Sequence, residues 1–214
     1  MAKKSMTPSA EATPISGPQI GKINDKLGIA LRRSGIPSVA TQQVLETQGE
    51  ELTKELVAVI RTRVEALASL ITRNVPVNRA RTPQQALDAT GWRQYINQAV
   101  VDAMPRTKTE GIEVVEVGFF KPRPCAFVDG IMTDDRLAAE YGYFGLKPDP
   151  IAVAAVNEAD PDFATKHPNA VHWKDKDGKY CFAAFSRWRG RPSVRVPRFA
   201  YDWRDNYVFG GVRK

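Results

Sequence analysis

The chain has 214 residues, enough for one domain, or one small domain with an extension, to bury a core without disulfide or metal staples. Hydrophobic residues at 43% and charged residues at 26% match an ordinary globular protein and exclude wholesale disorder. Glycine without a G-X-Y period excludes collagen, and apolar runs of only a few residues exclude a transmembrane helix, so no membrane partner is expected. The net charge is +7, but residues 181–214 hold eight bases against two acids, while residues 1–180 are nearly balanced.

Residues 1–18 are rich in Ser, Thr, Ala and Pro and read as a flexible tail. Met1-Ala2-Lys3-Lys4-Ser5 leads into no apolar segment, so no secretory signal is expected. Cys125 and Cys181 fit neither a zinc spacing nor a disulfide framework; the expectation is a cytoplasmic protein with two reduced thiols. Ile20, Ile23, Leu27 and Leu31 predict a helix over 19–33, stopped by Ser34-Gly35-Ile36-Pro37. A short helix over 39–47 is expected to break at Gly49.

The clearest element is a helix over Glu50–Arg73. Leu52, Leu56, Val59, Ile60, Val64, Leu67 and Ile71 make one apolar stripe, with acids at its start and Arg73 at its end to suit the helix dipole. Such a stripe either packs on the core or joins two copies of the chain, so homo-oligomerisation through 50–73 is one expectation. Thr82-Pro83-Gln84-Gln85 is a capping box opening a helix that ends near Gly91, and a further helix is expected over Tyr95–Met104, stopped by Pro105. Residues 19–105 thus read as a helical region, a scaffold or oligomerisation arm.

Residues 106–214 read as an α+β domain. Ile112–Phe120 is a Val- and Phe-rich strand; Thr133-Asp134-Asp135 caps a helix running to Phe144, with Gly145 as its stop; Asp149-Pro150 and Asp160-Pro161 open two short helices. From Ala170 the period becomes two. Asp177-Gly178 reads as a two-residue hairpin turn before the strand Tyr180–Trp188, Arg189-Gly190-Arg191-Pro192 as the next turn, and Ser193–Phe199 and Tyr207–Val212 as the last two strands. The fold class is therefore α+β: N-terminal helices followed by a C-terminal antiparallel meander.

Catalytic and cofactor signals are absent. His167, His172 and Cys181 match no metal-ligand spacing, and Asp175-Lys176-Asp177-Gly178 opens like a calcium loop but places Ser186 where the twelfth-position Glu belongs. No dinucleotide, phosphate-loop or nucleophile-elbow motif occurs, and Asp134 with Asp135 reads as helix-cap chemistry. No cofactor, no metal and no enzyme activity are expected.

The last forty residues are unusual. Residues 181–213 contain seven arginines and no lysine, and they also lack Glu, Gln, Met, Leu, Ile, Thr and His. In the strand over 193–199, Val194 and Val196 share one face, while Ser193, Arg195, Pro197 and Phe199 share the other. An outward proline gives no ladder hydrogen bond and an outward phenylalanine lowers solubility. Ser186, Arg189, Ser193, Arg195, Pro197, Phe199, Tyr201, Arg204, Asn206 and Tyr207 have a common property: each is encodable by a codon ending in a pyrimidine, which Lys, Glu, Gln, Met and Trp are not. A process that randomises the adenines of AAC or AAT codons yields this repertoire.

With Trp188, Val194, Val196, Asp202-Trp203 and the terminal Phe209-Gly210-Gly211-Val212-Arg213, these roughly 35 residues resemble the variable region of a target protein of a diversity-generating retroelement. In that family a terminal Gly-x-Arg, here Gly211-Val212-Arg213, is common. The resemblance implies variable residues near the C-terminus, displayed on a C-type-lectin-like scaffold related to formylglycine-generating enzymes. The remainder, such as Thr82–Gly91 and His172–Phe185, is similar to uncharacterised bacterial proteins.

Three readings follow. The first is a non-enzymatic binding protein that displays the ten residues to a protein or other macromolecular ligand, over a fixed underside of Val194, Val196, Trp188 and Trp203. The second is a basic nucleic-acid-binding module using the Arg/aromatic segment 181–214; the missing lysine speaks against it. The third, compatible with the first, is an assembly subunit using the 50–73 stripe. Only the first accounts together for the missing lysine, the outward proline and the outward aromatics.

Overall fold

The computed structural model describes residues 15–107, 111–198 and 201–213. The chain divides into two units, residues 1–58 and 59–214. In the first, α1 (Gly17–Arg33) begins two residues inside the expected tail, because Ser16 and Gln19 form a capping box and Pro18 sits in the first turn. Residues 1–14 of the expected tail lie outside the described residues. α2 (Ser38–Ala68) is one helix of 31 residues that crosses into the second unit. The break expected at Gly49 does not occur: one interior glycine costs a helix about 1 kcal/mol, too little to stop it. Neither α1 nor α2 buries a single residue.

The second unit corrects the expected helix over 50–73. α2 ends at Ala68, and Ile71–Asn78 is the strand β1. Ile71 fits both patterns: it follows Leu67 by four, and it also opens an alternation whose later members Val75 and Val77 are buried. The β-branched run Ile71, Thr72, Val75, Val77 is compatible with the strand, and antiparallel pairing with residues 112–119 fixes it. The helical region expected over 19–105 therefore holds two strands, β1 and β2 (Arg93–Ile96). α3 (Pro83–Asp88) starts at the predicted capping box, while α4 (Gln98–Asp102) starts after the predicted Tyr95, which is in β2 and pairs with Arg195.

Next come β3 (Ile112–Phe120), α5 (Asp134–Tyr143), the two-residue β4 (Leu146–Lys147), α6 (Pro150–Ala159), α7 (Phe163–Lys166), β5 (Asn169–Lys174), β6 (Tyr180–Trp188), β7 (Arg191–Val196) and β8 (Val208–Arg213). The Asp149 carboxylate accepts from the Ala152 N–H at 3.0 Å, the cap expected for α6. α7 starts at Phe163, after Asp162 rather than at Asp160-Pro161. Helices therefore come first and a mostly antiparallel sheet last, the α+β order read from the sequence.

The strands form one sheet in the order β1-β3-β8-β5-β6-β7-β2, with β4 also on β8. Only β5-β6-β7 is the expected meander. β8 does not follow β7 in space; it inserts between β3, antiparallel, and β5, parallel, and β2 takes the place beside β7, also in parallel. Local hairpin signals cannot encode such pairings. Two glycines let β8 fit there. A Cβ on Gly210 would stand 2.6 Å from the Phe119 ring, and one on Gly211 would stand 2.6 Å from the Lys147 carbonyl oxygen. The glycines of the terminal Phe209-Gly210-Gly211-Val212-Arg213 thus have a packing requirement of their own.

Both faces of the sheet carry packed residues, although Ser186, Trp188, Arg191 and Arg195 at the β6–β7 end of the second face stay partly or fully exposed. One face packs Val117, Phe119, Val171, Phe185, Val194 and Val196 against α3, α4, α6 and α7. The other packs Phe120, Ala170, Phe182, Ala184 and Phe209 against α5, Met132 and Trp203.

The two hairpins differ from the reading of their turns. Asp177-Gly178 lies in a five-residue connection, 175–179, where the Asp175 carboxylate accepts from the N–H groups of Asp177 and Lys179. The two-residue turn is Arg189-Gly190, both in the left-handed region with φ of 50° and 76°.

Candidate functional site

The β6–β7 hairpin, the edge strand β2 and the segment between β7 and β8 build one surface on the second face of the sheet. In the β6–β7 register Ala184 lies opposite Arg195, Ser186 opposite Ser193 and Trp188 opposite Arg191; in the β2–β7 register Tyr95 lies beside Arg195. Val194 and Val196 point the other way and are fully buried, as the alternation predicts.

Three adjoining depressions lie on this surface. The first, a cavity of about 270 Å³, is lined by Tyr95, Phe182, Arg195, Pro197, Tyr201, Trp203 and Tyr207, with Ala184. The second, about 350 Å³, adds Ser186, Arg187, Arg204 and Asn206 and has Arg195, Tyr201 and Tyr207 in common with the first. The third, about 310 Å³, lies around Arg93, Tyr95, Trp188, Arg189, Arg191 and Ser193. Nine of the ten residues singled out from the sequence, all but Phe199, line at least one of them. Phe199 lies outside the described residues.

They differ in how much they offer. Arg189, Arg204 and Asn206 are exposed, Tyr201 is 36% exposed, and Ser186, Arg195, Pro197 and Tyr207 are half-buried. Ser193 is buried at 2%, and its hydroxyl donates to the Ser186 carbonyl at 3.3 Å. Arg195 lies over the Trp188 ring at 4.4 Å, and Arg93 lies over Tyr95 at 5.1 Å. Burial pushes the Tyr207 phenol above its ordinary value, so it faces the cavity as a neutral hydroxyl.

Two of the four residues expected to form the underside are elsewhere. Trp188 is 47% exposed and belongs to the displayed face, where it supports Arg195. Trp203 is fully buried, but on the same side as the site, as part of its floor with Phe182.

The segment between β7 and β8 is held at intervals. Arg198 places Nη2 3.0 Å from Asp175 Oδ2. Met132 and Trp203 exchange two backbone hydrogen bonds. The Asp134 carboxylate accepts the Tyr201 N–H at Oδ2, 3.0 Å, and the Trp203 indole N–H at Oδ1, 2.9 Å. His172 Nε2 also lies 2.9 Å from Asp134 Oδ1, close but poorly aligned for a hydrogen bond, and Tyr180 stacks on the His172 ring. Burial raises the Asp134 carboxyl, yet His172, the indole and the Tyr201 N–H together hold it below the ordinary carboxylate value.

Asp134 and Asp135 do stand in the first turn of α5 after Thr133, as the cap reading expects, but their carboxylates serve other partners. Thr133 makes no side-chain cap, Asp134 ties down the site segment, and Asp135 takes the Tyr180 hydroxyl. Sequence reasoning missed Asp134, His172, Tyr95 and Phe182 as parts of the site. Tyr95 was hidden by the helical reading, and the Asp134–His172 contact spans a sequence distance over which no periodic pattern operates. The one available signal was chemical: a buried tryptophan needs an acceptor for its N–H.

Among the described residues no group of three His, Cys, Asp or Glu is arranged to hold a metal ion, and no helix is long and apolar enough to cross a membrane. Compared with family models, curated proteins and solved structures, the chain finds no match in any of the three.

Proposed function

We propose that this is a non-enzymatic binding protein whose C-terminal surface is diversified by a retroelement while its scaffold stays fixed. The observation that carries the reading is the separation of roles along one short segment. All nine described candidates line the joined depressions, while Val194, Val196 and Arg198 between them and Val208 just after them are packed or tethered and Trp203 forms the floor. Exposed side chains at such positions are exchangeable without unfolding the core.

Arg189 adds support. It occupies a left-handed turn position where asparagine is the favoured side-chain-bearing residue. Asparagine is what an AAC or AAT codon encodes before its adenines are randomised. The genome tests this reading. The 3′ end of the gene is expected to have a near-identical copy beside a reverse transcriptase gene, with differences confined to adenines of the copy, at the codons of the ten residues. A neighbourhood with neither the copy nor the reverse transcriptase removes it.

The bare helices favour a second role for the same chain. Ile20, Leu27 and Leu31 of α1 and Leu45, Leu56, Val57, Val59 and Val64 of α2 are exposed, and helices in water owe most of their stability to a covered apolar face. We propose that α2 joins two or more copies of the chain, which would present several binding surfaces together. Sedimentation equilibrium is expected to show an oligomer, and Leu56→Lys with Val64→Lys to return it to monomer; a monomeric unmodified chain at micromolar concentration ends this proposal.

A further inference from the structure

We propose that the surface takes an acidic peptide segment of a partner protein, seating one aromatic or aliphatic side chain of that segment in the Tyr95–Tyr201–Tyr207 cavity. The proposal rests on the binding reading above and names the chemistry of its ligand.

Charge complementarity comes first. The three depressions are lined by Arg93, Arg187, Arg189, Arg191, Arg195 and Arg204, and by no carboxylate. Arg187 is partly engaged, its Nε donating to Thr165 at 2.8 Å and its Nη2 standing 3.8 Å from the exposed Asp162; of the others, Arg195 lines the cavity itself, and Arg93, Arg189, Arg191 and Arg204 line the two depressions beside it. Guanidinium groups fixed on aromatic rings, as Arg195 is on Trp188 and Arg93 on Tyr95, still offer their in-plane N–H groups to a carboxylate.

The size and lining of the cavity come second. At about 270 Å³ it falls just below the ~300–1,000 Å³ range of small-molecule sites, and its walls are rings and Pro197 over a floor of Phe182 and Trp203. That shape suits one large side chain of a longer ligand. The edge comes third. β2 is the last strand of the sheet and carries Arg93 and Tyr95, so an extended segment has a strand to lie along as it passes the cavity. A single-stranded nucleic acid fits less well: one face of each of the Trp188 and Tyr95 rings, on which bases would stack, already carries a guanidinium group.

The test uses the full-length chain against a phage-displayed library of random peptides, with selected peptides then measured by fluorescence anisotropy. Enriched sequences are expected to be rich in Asp and Glu around one common aromatic or aliphatic position. Replacing that position by Ser is expected to weaken binding roughly tenfold or more, the scale of burying one large side chain. Arg195→Ser and Tyr201→Ser are each expected to weaken it roughly tenfold, Arg195→Ser while leaving the urea midpoint unchanged. A mixed-sequence single-stranded DNA at the same salt is expected to bind more weakly than the selected peptides. Selected peptides without acidic bias, no enrichment over the Arg195→Ser protein, or tighter binding of the DNA would each overturn the proposal. None of those results touches the adenine pattern in the gene, so failure of the ligand class and failure of the diversification reading are distinguishable.

Discussion

Trp203→Ala is expected to lower unfolding stability by about 4 kcal/mol, the middle of the range for truncating a fully buried aromatic. The indole meets Phe182, Tyr201 and Phe209 with ring centroids 4.8, 4.8 and 4.9 Å away, and Tyr207 at 5.6 Å. Its removal opens a void between the sheet and the site segment, and it leaves Asp134 Oδ1 without its best-aligned donor. Trp203→Phe keeps part of the apolar contact but loses the N–H and some ring volume, so its cost is expected to be smaller, about 2 kcal/mol. By contrast, Arg204→Ser and Asn206→Ser, exposed one and three residues further on, are expected to stay within about 0.5 kcal/mol of the parent. Urea unfolding of the four variants measures all of this. Equal costs at 203, 204 and 206 would mean that the segment is not divided into fixed and exchangeable positions.

Asp134→Ala is expected to cost about 3 kcal/mol, the lower end for breaking a buried charged group away from its partners. The carboxylate is 5% exposed and receives both the Tyr201 N–H and the Trp203 N–H, so alanine strands two donors at once. Asp134→Asn is not a neutral replacement: an amide has one acceptor oxygen, so one donor faces an NH₂ group. The same carboxylate sets a pH dependence. Its pKa in the folded protein lies below the unfolded value of about 3.9. Its contribution is therefore fully present above that unfolded value and disappears as pH falls through the lower folded one. The difference in stability between parent and Asp134→Ala is expected to be constant from neutral pH to about pH 5 and to shrink below pH 4. A difference that grows on acidification would contradict the assignment of Asp134 as the ionised anchor.

Much of the site was legible in the residues because display and burial leave different marks on a chain. Val194 and Val196 alternate with Ser193 and Arg195, and the alternation alone placed the valines inside. The absence of lysine among seven arginines marked the segment that lines the depressions. The alternation did not show that Ser193 would be covered, since Arg93 of β2 and Ser186 of β6 come from other strands to stand beside it. Nor did it show that Trp188 would serve the displayed face: an aromatic in a strand is core-like by composition, and only its pairing opposite Arg191 near the end of the hairpin leaves it exposed.

By itself the sequence determined what depends on neighbours in the chain. The capping box at Thr82, the helix between Thr133 and Gly145, the strand Ile112–Phe120 and the β5-β6-β7 run all follow from contacts within a few residues or between adjacent strands. The tertiary structure decided the rest: that Ile71 leaves a helical stripe for a strand, that β8 enters the middle of the sheet, that β2 closes its end beside the site, and that Asp134 holds residues 201–203. The reason is the same in each case. These contacts join segments tens of residues apart, where stability comes from burial and from satisfying buried donors, and neither is written in any local period.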